Sequence, residues 1–287
     1  MTDWKIHFSK EDNSVNFVRR TDDGGMLETR FVRRTEDYFI IYVSSHIGCR
    51  HACRFCHLTQ TGQTMFTTAT IQNLKDQVEL VMNYYESLES SAKRVHINFM
   101  ARGDALSSSV IWDEFDEFAT FSTDLAERNG LDIRFNISTI FPTDSEDKNL
   151  IDGFEKWPVY FYWSLYSLDE TFRKRWLPRA QSPEVVAQRL YDYQKRTGRE
   201  IIFHWAFIED QNDHVDDIRE WILSTKLKGR FNLVRYNPHN TRMGKEPAEN
   251  KLINLFDELM PAMSISGSRI IPRVGFDVSA SCGMFLD

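Results

Sequence analysis

The stretch GCRHACRFCHLTQTG, residues 48–62, places Cys49, Cys53 and Cys56 within eight residues of a 287-residue chain that has only four cysteines. Thiolates are metal ligands as well as nucleophiles, and scattered structural thiols would not cluster at spacings of four and three. Two metal centres compete. One is zinc with His57 as fourth ligand, although structural zinc sites usually pair two short knuckles and no second C-x-x-C occurs here. The other is an iron–sulfur cluster on three thiolates, which fits better. Four irons and three cysteines leave one iron open, and an open position is what a catalytic metal keeps.

A loop of this kind needs rigid elements beneath it. Short β-rich runs at 38–44, 94–100, 132–138, 159–165, 200–207 and 230–236 alternate with helical spacing at about 68–90, 109–129, 145–155, 183–197, 213–225 and 247–263. Near-continuous apolar strands alternating with helices predict a parallel sheet with right-handed crossovers. Six β/α units are too few for a closed eight-strand barrel, so the expected fold is α/β, an open six-strand partial barrel. The cysteines then fall just after its first strand, at the face where such barrels carry their chemistry. Ahead of the barrel, SVNFVRR and LETRFVRR flank Asp22-Asp23-Gly24-Gly25, a strong hairpin signal. The expected division is a hairpin extension over 1–37 and a barrel with a cysteine-bearing tail over 38–287.

Composition narrows the setting. A hydrophobic fraction of 41% and a charged fraction of 27% are those of a soluble globular protein. No run approaches the ~18 apolar residues of a membrane helix, and the charged start MTDWKIHFSKEDN carries no export signal. Few cysteines, mostly clustered, favour a reducing cytoplasm. The net charge of −7 argues against a nucleic-acid grip over the whole surface. A local basic patch is a separate matter. Arg19, Arg20, Arg30, Arg33 and Arg34 crowd the hairpin, read either as a contact for RNA or as a solvated face.

The spacing C-x-x-x-C-x-aromatic-C, with Phe55 as the aromatic residue, resembles the cluster motif of the radical S-adenosylmethionine (SAM) superfamily. VSSHIGCRHACRFCHLTQTG further resembles the cluster loop of the adenine-modifying RNA methyltransferases RlmN and Cfr. FMARGDALSS, ISTIFP, WSLYSLDETFRKRWLP, HWAFIEDQNDHVDDIREW, NLVRYNP and DVSASCGMF resemble further segments of that family, so the likeness spans roughly residues 14–287. The family's N-terminal helical RNA-binding domain has no counterpart in this sequence.

The resemblance implies a [4Fe–4S] cluster on Cys49, Cys53 and Cys56, with SAM at its open iron and an external electron donor such as flavodoxin or ferredoxin. It implies that Gly103 and Asp104 receive the SAM amino group. Ser138, Ser164, Leu165, Tyr166 and Asn237 would complete the SAM site. Glycine permits close backbone approach, and a carboxylate accepts charge-assisted hydrogen bonds from an ammonium. Cys282 would carry a methyl group and Glu28 would act as proton acceptor, both in methylation of an adenine-type base. The family uses another cysteine, seven residues before the first cluster ligand, to resolve the protein–substrate adduct through a disulfide; that position is here Tyr42. A second reading therefore stands beside the first: the same scaffold modifying a nucleotide or other small molecule without methyl-cysteine chemistry.

Overall fold

Ten strands line up in chain order in a single sheet in the computed structural model, which describes residues 4–89 and 91–286. β1 (Lys5–Phe8), β2 (Val15–Arg20) and β3 (Met26–Arg33) form an antiparallel meander around the Asp-Asp-Gly-Gly turn. β3 continues antiparallel onto β4 (Tyr38–Tyr42), with Arg30 opposite Tyr42. From β4 onward the pairing is parallel through β5 (Arg94–Phe99), β6 (Asp132–Thr139), β7 (Val159–Trp163), β8 (Ile201–Trp205) and β9 (Gly229–Leu233). The two-residue β10 (Arg269–Ile270) adds to the far edge. The six expected barrel strands are present, in an α/β fold with a mostly parallel sheet.

Helices cover the outer face, except the first, a short turn in the cysteine loop whose Leu58 and Thr59 line the cavity. They are α1 (His57–Gln60), α2 (Ile71–Glu86), α3 (Ser109–Arg128), α4 (Leu150–Phe154), α5 (Glu170–Trp176), α6 (Pro183–Thr197), α7 (Asp216–Ser224) and α8 (Glu249–Leu259). Their starts are written locally. The side chains of Thr70, Ser108 and Ser182 each accept from a backbone N–H in the first turn, and Pro183 follows at the first helical position. α5 lies outside the helical spacing read from the sequence; its N-cap Asp169 accepts from Phe172 N.

The strands differ from the sequence reading in one respect that matters. They are not apolar on both faces but alternate with period two. Val95, Ile97 and Phe99, Phe135 and Ile137, Phe161 and Trp163, and Phe203 and Trp205 point into the core beneath the helices. Phe115 of α3 meets Phe135 and Phe154 edge-on at 5.6 and 5.0 Å, the arrangement aromatic quadrupoles favour. The intervening residues, among them His96, Asn98, Ser138, Tyr162 and His204, face a cavity on the inner side of the curved sheet. An open barrel leaves that concave face for a ligand instead of filling it with core.

Candidate active site

The cysteine loop leaves the end of β4 and is fixed by contacts from distant segments. Cys49 N donates to Gln63 O at 3.0 Å, Arg54 N to Trp176 O at 3.0 Å and His57 N to Gly283 O at 3.0 Å. Phe55 stacks on Tyr166 with ring centroids 4.5 Å apart. Ala52 takes a left-handed φ of 56°, a conformation that side chains with a Cβ adopt at a cost of about 1–2 kcal/mol. The turn thus depends on its surroundings.

Cys49, Cys53 and Cys56 line one cavity together with Gly103, Asp104, Ser138, Ser164 and Cys282. Burial pushes the thiols up, Cys49 to about 12 with Cys56 adding to it, Cys56 to about 11, and Cys53 well above the usual thiol range. Such thiols become thiolates when a cationic centre compensates them. Among the described residues no three His, Cys, Asp or Glu side chains converge closely enough to cage a single ion. Three thiols lining one space are a donor set that suits an iron–sulfur cluster. His57, the alternative fourth ligand, has its Nε2 3.1 Å from Asn237 O.

Asp104 is buried, and burial raises its carboxyl to about 7 although the N–H groups of Ile140 and Leu106 oppose the shift. Those N–H groups donate to Oδ2 and Oδ1 at 3.0 and 3.1 Å. Gly103 has φ 87°, and a Cβ there would overlap the His46 ring, so glycine is required by backbone and by packing.

Four expected site residues lie elsewhere. Leu165 is fully buried in the core, and its carbonyl accepts from the Arg173 guanidinium at 2.8 Å. Tyr166 is not part of the cavity wall; its ring stacks on Phe55, which is. Asn237 also stands behind the wall, where Nδ2 donates to Cys282 O at 2.9 Å and to Ser281 Oγ at 3.2 Å. Glu28 is fully buried between Arg102 at 3.1 Å and Arg30 at 3.3 Å, and its Oε1 accepts from Leu286 N at 3.0 Å.

Glu28 belongs to a clamp on the C-terminal tail. Arg30 donates to Met284 O at 2.7 Å, Arg102 to Leu286 O at 2.6 Å, and both guanidiniums lie over the Phe285 ring. Charge-assisted bonds of this kind are about twice as strong as neutral ones. The clamp holds Cys282 at the cavity, bare on that side. The protein packed around the cavity mouth still raises the exposed Cys282 thiol, while Arg34 and Arg30 pull it the other way.

The hairpin arginines do not form an outward patch. Arg30 is buried and Arg34 lines the cavity. Arg19 bonds Asn73 at 2.7 Å, and Arg33 bonds backbone carbonyls of Thr35, Glu36 and Ser91. Arg20 is exposed. Strand alternation turned side chains inward that a count of charges along the sequence would place outside.

No family model matches the chain. Relatives span nearly all of it. One, from Lachnoclostridium phytofermentans, is named "Probable dual-specificity RNA methyltransferase RlmN" and is 27% identical over 99% of this chain and 76% of its own length. Another, the "Ribosomal RNA large subunit methyltransferase N" of Nitrosopumilus maritimus, is 28% identical over 96% of this chain and 77% of its own. In structure the chain is similar to a radical SAM methyltransferase from Sphaerobacter thermophilus, with TM-score 0.78 over 99% of this chain and 81% of that one at 18% identity. The fold is that of this radical SAM methyltransferase, and this chain carries three thiols on the loop after its first parallel strand. Along nearly its whole length the chain is similar to proteins named RlmN and to a ribosomal RNA large subunit methyltransferase.

Proposed function

We propose that this protein methylates an adenine-type base in RNA, using a methyl group carried on Cys282. The observation that carries the reading is the meeting of Cys282 with Cys49, Cys53 and Cys56 around one cavity, although the tail thiol is more than 220 residues away in sequence. The names of the relatives supply the RNA substrate class.

Cys49, Cys53 and Cys56 would hold a [4Fe–4S] cluster, and Gly103, Asp104, Ser138 and Ser164 would line the SAM site beside it. A three-thiolate cluster with SAM at its open iron would supply reductive SAM cleavage, and with it a radical able to take a hydrogen from a methyl group. The protein's own part is positional. The Glu28–Arg30–Arg102 clamp and Asn237 fix the tail, so that a methyl on Cys282 faces the cavity. Glu28 has its oxygens taken by two arginines and Leu286 N, so accepting a proton from substrate requires that the tail bond be released first.

Tyr42 favours a second reading. It lines the cavity where the family resolves its adduct with a cysteine, and all four cysteines of the chain are already assigned. A phenol cannot release a thioether by thiol exchange. On this reading the same scaffold modifies a nucleotide or other small molecule. The deciding experiment is anaerobic turnover with reductant, SAM and RNA, followed by nucleoside mass analysis. Methyladenosine that disappears in Cys53→Ser and Cys282→Ala supports RNA methylation. SAM cleavage with no methylated nucleoside supports the second reading.

A further inference from the structure

In the cavity wall two half-buried cations stand without a carboxylate partner among the described residues. Arg34 follows β3, and Arg269 opens β10 in register with Asn232 of β9. Both line the cavity, and the Nε of each is buried without a hydrogen-bond partner. Two other arginines of the wall are balanced, Arg30 by Glu28 and Arg235 by Glu246 and Glu249. Arg34 and Arg269 have no carboxylate partner among the described residues; Arg34 reaches only the Tyr42 hydroxyl, at 3.2 Å. Asp104 is the one carboxylate of that wall and is tied to backbone N–H groups.

The surroundings suit an anion. Asn232 and His204 are each more than nine-tenths buried and line the same space, and the Asn232 Oδ1 and His96 Nε2 have no partner. Asn232 Oδ1 and Nδ2 exchange places on rotation of the amide, so Asn232 can present a donor. The charges of Arg34 and Arg269 are both felt at His204, which burial has already driven to about 3, so the imidazole is neutral and offers one N–H. Unsatisfied buried polar atoms such as the two guanidinium Nε are costly, and an anionic ligand relieves that cost while balancing the two charges. A phosphate presents several acceptor oxygens, and guanidinium groups are the side chains that best match it.

We propose that the substrate carries a phosphate group that lodges between Arg34 and Arg269, with Asn232 and His204 as further donors, and so directs its base toward Cys282. The last clause rests on the reading above; the phosphate site itself does not. The phosphate could belong to a mononucleotide or to an RNA backbone.

The test is calorimetric titration of the intact protein with inorganic phosphate, adenosine, adenosine 5′-monophosphate and a short adenine-containing RNA. Adenosine monophosphate should bind at least about tenfold more tightly than adenosine, and inorganic phosphate should compete with it. Arg34→Gln and Arg269→Gln should each erase about tenfold of that preference, with circular dichroism as the check on folding. If a variant does not fold, the monophosphate–adenosine ratio and phosphate competition in the parent protein still decide. RNA that outcompetes the monophosphate, with a salt slope steeper than one phosphate contact gives, assigns the site to a backbone phosphate. A monophosphate that binds and is not displaced by RNA assigns it to a free nucleotide. Equal affinity for adenosine and its monophosphate overturns the proposal, as does SAM binding that weakens in both variants while phosphate fails to compete. Phosphate binding without any RNA methylation would retain the site and reject the methyltransferase reading.

Discussion

Asn237 holds Cys282 by the main chain: its Nδ2 donates to the Cys282 carbonyl at 2.9 Å, while Arg273 Nε donates to Asn237 Oδ1 at 2.9 Å. A residue expected to touch the SAM nucleoside is therefore engaged with the tail. One net hydrogen bond is worth about 1 kcal/mol. Asn237→Ala should speed amide hydrogen exchange across residues 281–286 by about fivefold, with little change in the barrel strands. Unchanged exchange in the tail would mean that the other clamps suffice.

The Glu28 cluster makes a stronger prediction. Removing one partner of a buried ion pair leaves an uncompensated charge and costs about 3–5 kcal/mol. Glu28→Gln leaves Arg30 and Arg102 facing each other at the tail. Denaturant unfolding should show a loss of that order. A loss below about 1 kcal/mol would show that the network contributes little.

Asp104 gives a pH dependence. Its carboxyl is raised by burial to about 7, so it is mostly neutral at pH 6 and mostly charged at pH 8. The sign for stability follows: a raised acid favours the protonated native state, so its contribution is full below the ordinary carboxylate value and is lost as pH rises from there through about 7, flattening above. For an ammonium ligand the sign is opposite, because the carboxylate must be charged to accept its hydrogen bonds. SAM affinity should rise several-fold between pH 6 and pH 7.5, and Asp104→Asn should flatten the rise. A parent profile without slope would remove Asp104 from the SAM site.

Much of the scaffold is legible locally. The helix expected at 183–197 is found there, because Ser182, Pro183 and Gly198 mark its ends. The six barrel strands fall within a few residues of their expected ranges. The cysteine loop was also plain, since its ligands lie close in sequence. What escaped notice depended on the third dimension. His96, Asn98, Tyr162, His204 and Asn232 were hidden inside strands taken as apolar, although their period-two spacing was a usable signal. The clamp was not legible at all, because Leu286 meets Glu28 across 258 residues of chain and no local pattern encodes such a pairing. Arg34 was misread for a related reason. Its charge suggested solvent, and only the antiparallel joint of β3 with β4 turns it inward.

The most direct measurement is the mass of the tail peptide bearing Cys282 after anaerobic turnover with SAM whose methyl group carries deuterium. The account predicts a labelled methyl on Cys282, its transfer to the product, and loss of that product in Cys282→Ala. An unmodified Cys282, with full product formation in Cys282→Ala, would contradict it.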